Sequence, residues 1–309
     1  MTSYEGDPWL ISYAKLLDLG EKYIGDHPDY IENEIDRGRA HDIAVMIQTS
    51  GTTGVPKIAT LSHRNLTAMA EQWLVAANIK VEDNWISMSP PAWIVDQMWG
   101  MGVSLGTAMT MNFPETAETV AEDFREIGPS VLITASRFWE DMASRIRVKI
   151  SDAGWLKKKL FFWGESLGRS IVKKQLQKKP ISIPVKILNR FFSFAVYQPL
   201  LDRLGCSHFS SAFTGGHPIS PDVIGFFRAI GLNLKQCYGL TESGGIFQIQ
   251  PDHEVKLETV GKPLYLTEVK IAEDQEVLVK SEANFSGYYN DYKATEAAFE
   301  NGWLKTGDA

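Results

Sequence analysis

The stretch Thr49-Ser50-Gly51-Thr52-Thr53-Gly54-Val55-Pro56-Lys57 constrains this chain more than any other. It follows Ile43-Ala44-Val45-Met46-Ile47, an apolar run that reads as a buried strand. A hydroxyl- and glycine-rich loop that leaves a strand and ends in lysine offers backbone N–H groups, hydroxyl donors and one ammonium to a polyphosphate. Gly51 and Gly54 let a ligand approach the backbone closely. The P-loop of NTPases ends in Gly-Lys-Ser/Thr, whereas here Pro56 precedes Lys57 and Ile58 follows it. Composition alone also fits a surface linker.

A chain of 309 residues with 44% hydrophobic and 22% charged residues is long and apolar enough for one or two folded domains. Cys206 and Cys237 form neither a disulfide framework nor a metal spacing, which points to a reducing, cytoplasmic setting. The acidic start, Met1 to Asp7, does not resemble a secretory signal, and no apolar run approaches the length of a membrane span. From Arg145 to Arg203 there are fourteen Lys/Arg against three acids, a local charge of +11. That leaves −18 for the rest of a chain whose net charge is −7. The lysines alternate with Leu160-Phe161-Phe162-Trp163 and Phe191-Phe192-Ser193-Phe194. Such a region suits either solvated helix faces or a peripheral contact with an anionic membrane. No nucleic-acid motif accompanies the charge, so nucleic acid is not expected as a partner. Oligomeric state is not legible.

Periodicity gives an order of elements. Helical spacing from Trp9 to Leu19 breaks at Asp26-His27-Pro28-Asp29. From Ile43 the pattern runs strand, loop and then a helix from an N-cap at Ser62 to about Ala77. Strands are expected at Trp85–Met88, within Leu105–Met111, and at Val131–Thr134, Phe209–Phe213 and Leu232–Gln236. Val120–Ile127 reads as a helix closed by Gly128-Pro129, and residues 137–204 read as mainly helical. Ser220-Pro221-Asp222 starts another helix, and Val269–Ile271 and Val277–Val279 read as antiparallel strands. This is an α/β core over residues 1–250, with a small β-rich unit over 251–309. Ligands in such sheets sit beyond the carboxyl ends of strands. The polar loops 49–57, 214–218 and 237–243 all follow expected strands and are expected to converge.

Within Gln236-Cys237-Tyr238-Gly239-Leu240-Thr241-Glu242-Ser243, Tyr238 offers an aromatic face to a base, Thr241 a hydroxyl to a phosphate, and Glu242 a hard oxygen to Mg²⁺. Alone, the octapeptide reads equally well as a turn into a helix. Asp308, in Gly302-Trp303-Leu304-Lys305-Thr306-Gly307-Asp308, offers a carboxylate to two ribose hydroxyls.

Together and in this order, Thr49–Lys57, Gly215–Ser220, Gln236–Glu242, Gly287-Tyr288-Tyr289-Asn290 with Ala294-Thr295-Glu296, and Gly302–Asp308 resemble the adenylate-forming, or AMP-binding, superfamily. The narrower resemblance is to long-chain fatty acyl-CoA synthetases of a bacterial type. It rests on Pro56–Asn65, Pro90-Pro91-Ala92-Trp93 and the basic insertion. Ile58 stands where glycine is common in the superfamily, and Trp93 where histidine is common. The resemblance implies the layered sheets and helices of the adenylate-forming N-terminal domain. It implies ATP and Mg²⁺, a fatty acid as substrate and coenzyme A as co-substrate, with an acyl-carrier protein as the alternative thiol acceptor. Thr49, Ser50, Gly51, Thr52, Thr53, Gly54 and Lys57 would hold the β- and γ-phosphates. Gly215, Gly216 and His217 would lie along the adenine and acyl-adenylate, with Tyr238 and Gly239 beside the adenine. Thr241 would contact the α-phosphate, Glu242 would hold Mg²⁺, and Asp308 the ribose. Trp93, Ile94 and Trp99 are candidates for an acyl tunnel or for ordinary core. The family also carries a C-terminal domain with a catalytic lysine, and a longer N-terminal portion. The chain is accordingly expected to be an internal fragment, either inactive alone or part of an active ligase.

Overall fold

The computed structural model describes residues 10–49, 56–252 and 254–309. The chain divides into two compact units between Asp42 and Ile43. In the first, α1 (Tyr13–Asp26) and α2 (Tyr30–Arg37) flank the expected break. The Ser12 hydroxyl caps α1 by accepting from the Lys15 amide at 3.2 Å. Trp9 lies outside the described residues.

The second unit opens with β1 (Ile43–Thr49) and β2 (Lys57–Ser62), an antiparallel pair, followed by α3 (His63–Ala77). Ser62 caps α3 as expected, in a reciprocal box with Asn65. The strand β2 is not in the sequence reading, which ran from the loop straight into the helix. Nor is β1 the buried strand expected, since only Ile47 of its residues is buried.

Next come β3 (Asn84–Ile86), α4 (Ile94–Gln97), a π-helical turn at Met98–Val103, α5 (Ser104–Thr107) and β4 (Thr110–Asn112). Leu105 is therefore helical, and strand structure in Leu105–Met111 is confined to its end. Helix α6 (Val120–Ile127) stops at Gly128, whose φ of 55° permits the left-handed cap. After β5 (Val131–Ala135), the basic region forms α7 (Ser136–Ser151), α8 (Trp155–Leu176), α9 (Ile183–Phe192), a π-helical turn at Ser193–Tyr197 and α10 (Gln198–Arg203). Then follow β6 (Ser211–Gly215), α11 (Pro221–Ala229) with Ser220 as cap, β7 (Leu234–Leu240), a 3₁₀ turn at Thr241–Ser243, and β8 (Gly245–Ile249). The remaining elements are β9 (Lys262–Pro263), β10 (Glu268–Ile271), β11 (Val277–Lys280), β12 (Gly287–Tyr288), α12 (Tyr292–Ala298), β13 (Phe299–Glu300) and β14 (Trp303–Lys305).

The largest sheet has the order β5-β6-β7-β8-β9, parallel through β7 and antiparallel beyond it. Successive residues of β5 and β6 serve opposite cores. Ile133 and Phe213 join Trp73, Trp85 and Trp99, whereas Leu132 and Ala212 join Trp139, Phe226 and Phe227. A sheet covered on both faces explains why Val131-Leu132-Ile133 of β5 is an unbroken apolar run rather than an alternation. Two smaller sheets, β10-β11-β14-β13 and β1-β2-β12, are built in whole or in part from late segments, and β12 returns to pair with β2. The result is a mixed α/β fold of layered sheets and helices.

Candidate functional site

A cleft of about 620 Å³ opens where the carboxyl end of β7 meets these smaller sheets. One side is built from β6 to β8 and α4. Gly216, Gly239 and Gly245 line it, with Trp93 and Ile94 of the α4 segment. The glycines have steric reasons. A Cβ at Gly239 would stand 1.8 Å from the Gly245 carbonyl oxygen, and one at Gly245, where φ is 112°, would stand 2.6 Å from Met98 Sδ. These positions stay bare because β7, β8 and α4 crowd them, and the cleft gains a smooth floor as a consequence.

The 3₁₀ turn after β7 presents Thr241 and Glu242 to the cleft. The Gly244 amide donates to the Thr241 carbonyl at 3.1 Å, and the Phe285 amide to the Glu242 carbonyl at 2.8 Å. The Glu242 carboxylate accepts from the Tyr288 hydroxyl at 2.7 Å. Lys57 faces the same ring, its ammonium 4.9 Å from the Tyr288 centroid. Burial, and then donation to Glu242, push the Tyr288 phenol well above its usual range, so it stays a donor.

Asp308 reaches the opposite rim. Its carbonyl accepts from the Val277 amide at 2.8 Å, and its carboxylate accepts from the Tyr238 hydroxyl at 2.5 Å. Burial, then this bond, raise the Tyr238 phenol above its usual range. Beside them, the Gly307 amide donates to Glu276 at 2.8 Å, and Lys305 lies 3.5 Å from the same carboxylate.

The structure thus gathers Thr49, Lys57, Gly216, Gly239, Thr241, Glu242 and Asp308 on one cleft. Thr49 stands opposite Lys57 in the β1–β2 register, so both ends of the glycine-rich segment meet there. Ser50, Gly51, Thr52, Thr53 and Gly54 lie outside the described residues. Three candidates are placed differently. Tyr238 does not line the cleft; its ring packs edge-on against Phe247, with centroids 4.7 Å apart, and it reaches the site through its hydroxyl on Asp308. Gly215 is buried, and a Cβ there would stand 2.6 Å from Cys237 Sγ, so it serves the β6–β7 contact. His217 is exposed and not on the cleft lining. Of the tunnel candidates, Trp93 and Ile94 line the cleft, while Trp99 is fully buried against Trp73, with centroids 5.2 Å apart, as ordinary core. Sequence reasoning gave no role to Tyr288, Glu276 or Lys305. The Gly287-Tyr288 motif held the signal for the first. Gly287, at φ 137°, has the Thr295 side chain 2.7 Å from its would-be Cβ, and Thr295 in turn accepts from the Tyr288 amide at 2.9 Å.

The site combines a bare floor, two hydroxyl-held carboxylates and two ammonium groups, which is the donor set for a nucleoside polyphosphate with a divalent cation. Among the described residues no group of three or more His, Cys, Asp or Glu could hold a metal by itself. Glu242 offers the cleft a single carboxylate, a donor that suits an ion completing its shell with phosphate and water oxygens, as Mg²⁺ does.

Comparison with known proteins agrees with this geometry. The AMP-binding enzyme family model matches residues 9–289. The human long-chain-fatty-acid–CoA ligase ACSBG2 is 28% identical over 97% of this chain and 46% of its own length. A putative fatty-acid–CoA ligase, fadD11, of Mycobacterium tuberculosis is 29% identical over 95% of this chain and 52% of its own. The chain spans about half the length of the curated relatives it matches. Among solved structures, apo MatB from Rhodopseudomonas palustris superposes with a TM-score of 0.63 at 18% identity, covering 88% of this chain and 46% of that one. The o-succinylbenzoate CoA synthetase MenE of Bacillus subtilis, in complex with ATP and magnesium, gives 0.61 at 20% identity, covering 87% and 47%. These structures share the fold. With its cleft, its motifs and a family match over most of its length, the chain belongs to the AMP-binding, adenylate-forming enzymes, and its homologues include fatty-acid–CoA ligases.

Proposed function

We propose that this chain supplies the nucleotide- and acyl-binding part of an ATP-dependent long-chain fatty acid–CoA ligase. The observation that carries the reading is the convergence of Lys57, Thr241, Glu242 and Asp308 on one glycine-floored cleft. In the proposed reaction a fatty-acid carboxylate oxygen attacks the α-phosphorus of ATP. The new O–P bond replaces the bond to pyrophosphate, which departs with its electron pair. A thiol, that of coenzyme A, then takes the acyl group and AMP leaves. Catalysis of such a step is mostly positioning and charge neutralisation. Lys57 and the segment 49–57 would hold the departing phosphates, Thr241 the α-phosphate, and Asp308 the ribose hydroxyls. Mg²⁺, when bound beside Glu242, would neutralise phosphate charge. Trp93 and Ile94 would bound the acyl group. The β-rich residues 251–309 would act as a subdomain that carries Glu276, Tyr288, Lys305 and Asp308 to the α/β core formed by the part of the second unit up to about residue 250.

Pyrophosphate release, measured with acids of increasing chain length on protein made from the complete reading frame, tests this. Long-chain fatty acids should give the highest release. Release only with amino or aryl acids would exclude the substrate assignment. A second reading is favoured by the share of the relatives that the chain spans, 46–52%. In it, these 309 residues bind nucleotide but do not complete the thioester by themselves. Acyl-CoA formation by the 309 residues alone would exclude that reading.

A further inference from the structure

The basic helical region carries an outward face that the fold does not use. Helix α9 and the π-helical turn after it rest on α8 at Gly164. There the Tyr197 hydroxyl donates to the Gly164 carbonyl at 2.5 Å, and both Phe192 and Tyr197 stand 3.0 Å from where a Cβ would be. Phe192 is the buried residue of α9. Between about a quarter and half a turn away from it lie Ile183, Ile187 and Phe191 of α9 and Phe194 of the π-helical turn, spaced by four, four and three residues and 72%, 67%, 56% and 82% exposed. Lys186 and Arg190, both exposed, flank this stripe. The first turns of α8 repeat the arrangement. Trp155 and Trp163 are exposed among Lys157, Lys158 and Lys159, and the Lys159 ammonium lies 4.8 Å from the Trp163 centroid.

Scattered exposed apolar residues are ordinary, but a row of four large ones along α9 and the turn that continues it marks an interaction surface. Charge selects the occupant. The segment is +11 on a chain of −7, so its partner is anionic. A second copy would set one basic face against another. A nucleic acid would offer phosphates but no apolar layer for Phe194. An anionic bilayer offers both, headgroup phosphates for the lysines and hydrocarbon for the stripe. No described helix is long and apolar enough to cross a membrane, so the geometry is that of a helix lying in the interface. Tryptophan and lysine side by side suit that depth, since each has an apolar body and a polar end.

We propose that the outer face of α9, with the first turns of α8, docks this protein on the surface of an anionic phospholipid bilayer. The proposal stands apart from the nucleotide cleft and does not depend on it.

Co-sedimentation of the full chain with vesicles of phosphatidylcholine alone, or mixed with phosphatidylglycerol, tests it. The protein should sediment with the anionic vesicles, and less so at high salt. Lys186→Glu should weaken binding about fivefold or more, and Phe191→Ser with Phe194→Ser about tenfold or more. All three positions are exposed, so thermal unfolding should stay unchanged. Tryptophan emission should shift to the blue on anionic vesicles, and Trp155→Phe with Trp163→Phe should remove that shift. Equal sedimentation with both vesicle types, or α9 variants that bind as the parent does, would overturn the proposal. So would self-association that the α9 substitutions abolish without any vesicle binding.

Discussion

The two walls of the cleft are made in different ways. The wall from β6 to β8 and α4 belongs to the doubly covered sheet and contributes shape. Its cleft residues are Gly216, Gly239 and Gly245, with Trp93 and Ile94. The facing wall, from β2, β12 and the β11–β14 pair, is made of short strands and contributes charge. Lys57, Glu276, Lys305 and Asp308 all come from it. Glu242 sits at the seam, carried by the buried wall and held by Tyr288 of the other. The contrast shows how a large fold and a reactive site coexist. Close packing is kept where the backbone must be exact in position, and ionic groups are kept on thin sheets where water can solvate them until a ligand arrives.

The sharpest way to break this contrast is to give the shape wall a side chain. Gly239→Val should cost about 3 kcal/mol or more, because the new Cβ overlaps the Gly245 carbonyl and β7 must leave β8. Urea unfolding measures it, and nucleotide binding should fail with the fold. The corresponding change on the charged wall should do the opposite. Asp308→Ala should weaken nucleotide binding about 10- to 100-fold, as expected for the loss of a charged hydrogen-bonding partner, and change stability by less than about 1 kcal/mol. Titration calorimetry and thermal unfolding on the same sample separate the two effects.

Much of this was legible in the sequence, and the exceptions have physical causes. Helices announced by a cap or a stop were found where expected: α3 from Ser62, α6 to Gly128, and α11 from Ser220-Pro221. Strands β5, β6 and β7 were also found, β5 within one residue, β6 within two, and β7 with an end four residues later than expected. Among the strands that escaped, β2 is completed by β12, more than 220 residues away in sequence, whereas β8 pairs with its neighbour β7 across a turn that the sequence reading took only as a polar loop. Local pattern cannot register a partner as distant as β12. The same holds within the site. Lys57, Thr241, Glu242 and Asp308 were legible as a set, because the motifs that carry them occur together and in order, while each segment alone also fits an ordinary loop or turn. Tyr288 was not, because its value lies in reaching Glu242 with its hydroxyl and Lys57 with its ring face, a geometry created by the β12–β2 pairing. Tyr238 makes a T-shaped contact with Phe247 and donates its hydroxyl to Asp308, partners that the local sequence does not announce.

The seam offers a finer test of the contrast. Tyr288→Phe keeps the ring under Lys57 but removes the bond that holds Glu242. It should raise the Mg²⁺ concentration for half-maximal activity about fivefold and leave stability nearly unchanged. The smallest effect is expected behind the shape wall, at Asp96 in α4. Its buried carboxyl accepts from the Ser87 hydroxyl at 2.9 Å, but burial outweighs that bond and raises its pKa. The folded state therefore holds this proton more tightly than the unfolded state does. Stability falls as pH rises from the ordinary carboxylate value, near about 4, through the raised value, and the penalty is complete above it. Asp96→Asn should then be more stable than the parent at neutral pH by about 0.5–1 kcal/mol, and the gain should vanish in acid, where both side chains are neutral. Urea midpoints across the acid range measure it.

The central claim is that the bare wall and the charged wall together form one nucleotide site. Binding of Mg–ATP at equilibrium, compared among the parent chain, Lys57→Ala, Asp308→Ala and the distant surface change Lys157→Ala, tests it most directly. The parent and Lys157→Ala should bind saturably, and either cleft substitution should weaken binding about tenfold or more. No binding by the parent, or equal binding by all four proteins, would contradict it.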